Sequence, residues 1–254
     1  MVAVKECNPA SWVTLDGLRE QREAVHELAF ARYHCNVWTG GEAPWILADM
    51  WDACAAAPVI EADHNVVVGV DASIRHDTTA VVVVRRDERE QFHALWRVWE
   101  PTRGQEVPLA EVESFVRDLA GHFRVLAVVH DPHYFWHARQ RLEDEGVPMV
   151  EWQHRRMASA TRTLHEIVAH GRLRHGGDPV ARQHALAAEV KEREYGLILS
   201  KTATREPIDC LSALAMAVEW AARSSRPRRA STNRGGWSSH EPVVGQDRRE
   251  RGAG

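Results

Sequence analysis

The chain has 254 residues, of which 44% are hydrophobic and 27% charged, with a formal net charge of −4. That composition suits one large core or two modest ones. The net acidity argues against a duplex clamp working by bulk positive charge, though not against a site built from carboxylates. No apolar run approaches about 18 residues, so no membrane span is expected. The opening MVAVKECNPASW lacks the apolar core of a signal peptide, and a cytoplasmic protein is expected. The cysteines, Cys7, Cys35, Cys54 and Cys210, have no CxxC spacing and read as free thiols rather than a zinc site or disulfide framework.

Residues 1–60 differ in character from the rest of the chain. They hold Trp12, Trp38, Trp45 and Trp51, and their spacing predicts a helix from Leu15 to Ala31 that packs through Leu18, Val25, Leu28 and Ala29. A second helix is predicted over 43–56, with Pro44 in its first turn. Two helices bury little area, so this helical connector should need another domain or a partner.

From Asn65 the pattern turns to strands. NVVVGVD, TTAVVVVRR and QFHALWRVW, separated by short polar turns, read as an antiparallel meander. A helix over 107–120 comes next, with Val112, Phe115, Val116 and Leu119 at helical spacing, and then RVLAVVHD, a buried strand ending at Asp131. HYFWHARQRLEDE reads as a helix, GVPMVEW as a short strand and SATRTLHEIVAHG as a helix. Asp178 and Pro179 can cap and open the next helix, YGLILSK is a strand, and EPIDCLSALAMAVEWAA is a final helix opened by Pro207. Strand and helix alternate, the signature of an α/β domain over 61–222. Residues 223–254, rich in Arg, Ser, Gly and Pro, read as a disordered basic tail.

Asp71 and Asp131 each end an apolar strand, where a carboxylate is costly unless hydrogen-bonded or bound to a cation. The alternative role for Asp71 is a turn cap for the following loop. Asp209 falls in the first turn of the last helix, where a favourable dipole interaction would also account for it. Functional groups of open α/β sheets gather at the carboxyl ends of strands, so the three acids could meet at one rim. Converging carboxylates suit hard divalent cations such as magnesium or manganese, and two such ions can hydrolyse a phosphodiester without a covalent intermediate. Catalytic and metal-binding roles are therefore expected for Asp71, Asp131 and Asp209. Auxiliary candidates are Asp77 (a loop cap or a peripheral metal contact), His175, Asp178 and Lys201, the last a phosphate contact or a solvated lysine. His130 should point to the face opposite Asp131.

VVVGVDASIRHDTTAVVVV, VLAVVHDPHYF, RLRHGGDPVARQHALAAEV and GLILSKTATREPIDCLSALAMAVEWA, in that order, resemble the C-terminal nuclease domain of the large terminase subunit of tailed bacteriophages. NPASWVTLDGLREQ and FARYHCNVWTGGEAPWI resemble the helical stretch that joins its ATPase to its nuclease. No GxxxxGK[ST] phosphate loop occurs, so the chain looks like connector plus nuclease without the motor. The resemblance implies a ribonuclease-H-like mixed sheet flanked by helices, and a two-metal endonuclease that cuts double-stranded DNA with magnesium or manganese. It also implies as partners the small terminase subunit and the portal protein, in the host cytoplasm.

Two other readings compete. An actin-like ATP-binding fold also opens with a strand, an aspartate and a hairpin, but it needs a duplicated core and glycine-rich phosphate loops that are absent here. The alternative function is a defunct terminase fragment acting at most as a DNA- or protein-binding module. The presence of all three aspartates argues against simple catalytic decay.

Overall fold

The computed structural model describes residues 2–6, 8, 10–24, 30, 34–35, 45–72, 78–101, 106–201 and 206–224, with the backbone alone at 3, 23, 24, 133, 134 and 201. Asp77, the far end of the first predicted helix and the tail from 225 onward lie outside the described residues.

Helices α1 (Val2–Glu6) and α2 (Leu15–Ala24) precede a short α3 (Ala48–Asp52). The sheet then opens as the meander expected from the sequence. Strand β1 (Asn65–Asp71) pairs antiparallel with β2 (Thr79–Arg86), which pairs antiparallel with β3 (Phe92–Trp99). After α4 (Leu109–His122), β4 (Arg124–His130) lies parallel to β1. Helix α5 (Pro132–Asp144) leads to β5 (Met149–Glu151), parallel to β4. Helix α6 (Met157–Ala169) leads to β6 (Leu173–His175), parallel to β3. The six strands run in the order β5-β4-β1-β2-β3-β6. Helix α7 (Pro179–Ala187), the two-stranded hairpin β7 (Ala188–Arg193) and β8 (Gly196–Lys201), and α8 (Asp209–Arg223) complete the described chain.

The central strands read as nearly unbroken valine because both faces are covered. Val66, Val68 and Val70 of β1 and Val81 and Val83 of β2 pack with Val112, Val116 and Leu119 of α4 and with Phe135 and Leu142 of α5. Val67 of β1, Ala80, Val82 and Val84 of β2, and Ala127 and Val129 of β4 pack on the opposite face, with Leu164 and Ile167 of α6 and with α8. The result is a mixed sheet between helical layers. None of the described helices is long and apolar enough to cross a membrane.

Gly69 is what lets α8 lie close on this sheet. A Cβ placed there would stand 2.1 Å from the Ala213 carbonyl oxygen and 3.1 Å from the Ala217 Cβ. Strand glycines mark such close approaches of another backbone. Helix α8 runs antiparallel to β1. It begins near the start of β2, where Thr78 reaches Asp209, and ends near the close of β2, where Arg86 donates to the carbonyls of Ala221 and Ala222.

Three local features differ from expectation. Among the described residues of the helix predicted over 43–56 only α3 is helical, and the chain from Trp45 joins the core. Trp45, Ile46, Trp51 and Cys54 are buried in the α8-side cluster. Ala55 bridges His175, and the amide of Ala56 donates to the His175 carbonyl at 2.9 Å. These bonds to an otherwise open sheet edge replace the next helical turn. Strand β6 has no counterpart among the expected elements, because its 3 residues are too few to show a period. Strand β7 has the composition of a helix surface (AEVKER) but pairs with β8.

Candidate active site

The parity of each strand sets which side chains meet. Along β1, Val67 and Gly69 face α8, and Asp71 continues that row. Along β4, Ala127 and Val129 face the same way, and Asp131 comes two residues on. Val70 pairs in parallel with His130, and the Asp131 amide donates to the Val70 carbonyl at 3.4 Å. Asp71 and Asp131 are thus neighbours at the carboxyl ends of adjacent parallel strands, about 4.8 Å apart at the backbone. Asp209 opens the helix that covers this face. The two strand acids are partly exposed, and Asp209 is buried, at 4% exposure.

Thr78, just before β2, donates its hydroxyl to Asp209 Oδ2 at 2.5 Å. It lies two residues from Ala80, the register partner of Asp71, so this bond ties the start of α8 to the β1–β2 rim. Asp131 immediately precedes α5, whose free N-terminal amides favour negative charge. His154, on a single 3-10 turn after β5, places Nε2 3.6 Å from Asp131 Oδ2 and is largely exposed. His130 points away, as expected, and its ring lies tilted against Phe135 on the other face, with centroids 5.9 Å apart. Burial lowers its pKa.

The auxiliary candidates fall elsewhere or serve local structure. His175 is buried on β6, three strands from β1, or about 14 Å at normal strand spacing. Its register passes through Ala94 and Val84 to Val67, so it stands level with the base of β1 rather than with Asp71. There it stacks on Trp51, and Nε2 meets the Trp51 carbonyl at 3.0 Å. It holds the edge segment in place and is not gathered with the three aspartates. Asp178 caps α7 by accepting the Ala181 amide at 2.9 Å. Its charge still reaches the Cys210 thiol, whose pKa is pushed up mainly by burial and also by Asp178 and Asp209. Lys201 closes β8, and its backbone pairs with Ala188. Sequence reasoning did not single out Thr78. Thr78 is the first of two adjacent threonines, the second of which opens β2, and nothing local distinguishes it.

An all-carboxylate donor set suits a hard divalent cation. Among the described residues, the only three-residue group whose ligand atoms all lie within 4.8 Å of one another is Glu61, Asp63 and His64, in the turn before β1. Asp71, Asp131 and Asp209 do not form a group as tight as that. What the rim shares with such a site is its all-carboxylate chemistry and the arrival of β1, β4 and α8 at one face of the sheet.

A mixed sheet of this order, with acids at the ends of two adjacent parallel strands and at the start of the covering helix, defines an α/β domain of the ribonuclease-H-like class. Residues 18–107 and 98–225 match the family described as terminase large subunit, endonuclease domain, and the chain belongs to that family. It is 26% identical over 215 residues to the Gene 13 protein of Mycobacterium phage L5, covering 74% of this chain and 36% of that one. The large terminase of bacteriophage HK97 superposes with a TM-score of 0.63 at 21% identity, over 86% of this chain and 53% of that one. The large terminase nuclease of thermophilic phage G20c, solved with bound magnesium, superposes with a TM-score of 0.54 at 13% identity, over 70% of this chain and 98% of that one. The chain thus spans little more than a third of the Gene 13 relative that it matches.

Proposed function

We propose that this chain is a divalent-metal-dependent endonuclease that hydrolyses double-stranded DNA, with Asp71, Asp131 and Asp209 as its metal-binding acids. The observation that carries the reading is the convergence of the ends of β1 and β4 with the start of α8 on one face of the sheet. Family membership supports it, as does the magnesium in the related phage G20c nuclease.

Bound magnesium or manganese, as a pair of ions, would supply Lewis acidity, making water nucleophilic and offsetting charge on the phosphate and leaving oxygen. The residues supply placement. The sheet ladder fixes Asp71 and Asp131 at strand spacing, so neither carboxylate depends on a long flexible side chain. Asp209 approaches from the opposite layer, at the positive end of α8. Their partial exposure leaves Asp71 and Asp131 open to a phosphodiester backbone, while burial and Thr78 restrain Asp209.

The organisation we propose is a nuclease domain over 61–222 completed by the edge segment from Trp45, a connector before it and a basic tail after 222. Participation in DNA packaging, with the small terminase subunit and portal protein in the host cytoplasm, belongs to the same proposal.

Nicking of supercoiled plasmid tests the reading. The full chain should convert it to open-circular and linear forms with magnesium or manganese and be inert with excess chelator. Retained DNA binding with no cutting at any concentration of either metal would instead make it a binding module.

A further inference from the structure

Asp209 is the one acid of the three that the sheet does not carry, and two buried polar side chains from other elements hold its position. Thr78 is 4% exposed. A carboxylate can only accept, so the 2.5 Å contact is a hydroxyl donating to Asp209 Oδ2. The even-numbered residues Ala80, Val82 and Val84 of β2 face α8, and Thr78 lies one repeat before them on the same side. Its direction is therefore set by the strand.

His184 on α7 is 2% exposed, and its Nδ1 accepts the Cys210 amide at 3.2 Å. The first four amides of a helix lack an intrahelical carbonyl, and a side chain at the N-cap usually satisfies one of them. Here the N-cap is Ile208, which makes no side-chain cap bond. His184 takes that part from a different helix. Accepting at Nδ1 places its proton on Nε2.

We propose that Thr78 and His184 are positioning residues for metal binding. Thr78 sets the carboxylate plane of Asp209, and His184 anchors the helical turn that bears it. This rests on the reading of Asp209 as a metal-binding acid. The torsion that orients an aspartate carboxylate is broad. Fixing one oxygen to Thr78 narrows the directions open to the other, and fixing the next residue's amide stops the first turn of α8 from fraying. Groups that orient metal ligands in this way typically alter metal affinity about 10- to 100-fold.

The test is calorimetric titration of the full chain with Mn²⁺, without DNA, alongside plasmid cleavage as a function of Mn²⁺. Thr78→Val removes the hydroxyl at nearly constant shape, and Thr78→Ser keeps it. His184→Leu removes the acceptor, and His184→Asn keeps one near the Nδ1 position. Thr78→Val and His184→Leu should weaken Mn²⁺ binding roughly tenfold or more and shift half-maximal cleavage to higher Mn²⁺, with the KM for DNA unchanged. Thr78→Ser and His184→Asn should stay near the parent protein. Thermal melting identifies a variant that fails to fold; if Thr78→Val does, the His184 pair carries the comparison. Equal Mn²⁺ affinity in the folded Val and Ser variants, or in the Leu and Asn variants, overturns the proposal, as does a parent chain that binds no Mn²⁺. If Mn²⁺ binds in the expected order but no protein cuts DNA, the positioning role stands and the endonuclease reading fails.

Discussion

Gly69→Ala is the sharpest perturbation of this architecture, because one methyl group would enter the contact that seats α8. The added carbon would lie 2.1 Å from the Ala213 carbonyl oxygen and 3.0 Å from its carbonyl carbon. A carbon–oxygen contact settles near 3.3 Å, so about 1.2 Å of separation must be found. The strand cannot supply it, since Gly69 pairs with Val82 on one side and Val129 on the other. The helix must lift. It buries Leu211, Leu214, Met216 and Val218 among others, and a gap of 0.5–1 Å forfeits about a quarter to a half of each dispersion contact. Overpacking of this kind costs about 1–3 kcal/mol, against a gain of about 0.4–1 kcal/mol from restricting the unfolded chain. The net cost is then at most about 2.6 kcal/mol, and at roughly 2–4 °C per kcal/mol for a domain this size the melting temperature should fall by up to about 10 °C. Ala213 lies one turn past Asp209, so the shift should also reach the acid, and a misplacement near 1 Å can cost about a hundredfold in rate.

The control is Gly121→Ala in α4, where an added Cβ meets nothing within 4 Å. It should stabilise by about 0.5–1 kcal/mol, with cleavage unchanged. Melting by circular dichroism and cleavage at saturating DNA measure both variants. A Gly69→Ala protein that melts above the parent temperature and cuts at the parent rate would refute the close-contact argument.

The same geometry sets expectations for the acids and the buried histidines. Asp71→Asn, Asp131→Asn and Asp209→Asn should each lower cleavage at saturating DNA by about a thousandfold, since each removes charge that holds the cation, while melting temperatures stay near the parent value. A variant cutting at the parent rate would remove that residue from the site. Stability should also fall as pH drops from about 7.5 to about 5.5, across the ordinary histidine range. Burial lowers the pKa of His93 and of His175, so the unfolded chain takes up their protons first. Their stabilisation is complete above the ordinary value of 6.5 and is lost as pH falls below it. Asp87, Arg85 and Arg174 bear on His93, and Asp52 and Asp178 on His175. His93 Nδ1 accepts the Val59 amide and His175 Nδ1 the Gly177 amide, and a proton at either nitrogen breaks that bond. Melting temperature against pH checks this, and a flat profile would contradict it.

Where a feature is local, the sequence discloses it. Asp71 and Asp131 stand out because an apolar strand runs straight into each, and Asp209 because Pro207 marks a helix start beside it. That the two strand acids share a face needs the register of β1 against β4, which depends on the crossover between them. Thr78 is 131 residues from Asp209, and the contact exists only once α8 lies on the sheet. His184 caps a helix 26 residues away in place of Ile208, an exchange that no N-cap pattern reveals. His175 is attractive as a histidine near acidic motifs, but strand order puts it at the far edge. The edge segment around Ala55 has a composition that favours helix; pairing with β6 decides otherwise.

The choice of aspartate at the helix start has its own geometric reason. Aspartate reaches only one methylene from the backbone, so Asp209 can serve the strand-end acids only if α8 sits low on the sheet, and Gly69 against Ala213 and Ala217 is what lowers it. A glutamate at 209 would project about 1.5 Å further, roughly a single carbon–carbon bond. In the parent protein that extra length should displace the carboxylate from Thr78 and weaken Mn²⁺ binding. In a Gly69→Ala background, with the helix lifted by about the same amount, the added methylene should recover part of the lost reach. Asp209→Glu should then cost less in Mn²⁺ affinity in the Gly69→Ala protein than in the parent. A double-mutant cycle read by calorimetry measures that difference, with coupling of about 0.5–3 kcal/mol expected for residues that share a backbone shift. Strictly additive effects would mean that helix height and acid reach are independent, and that the small residues under α8 serve packing alone.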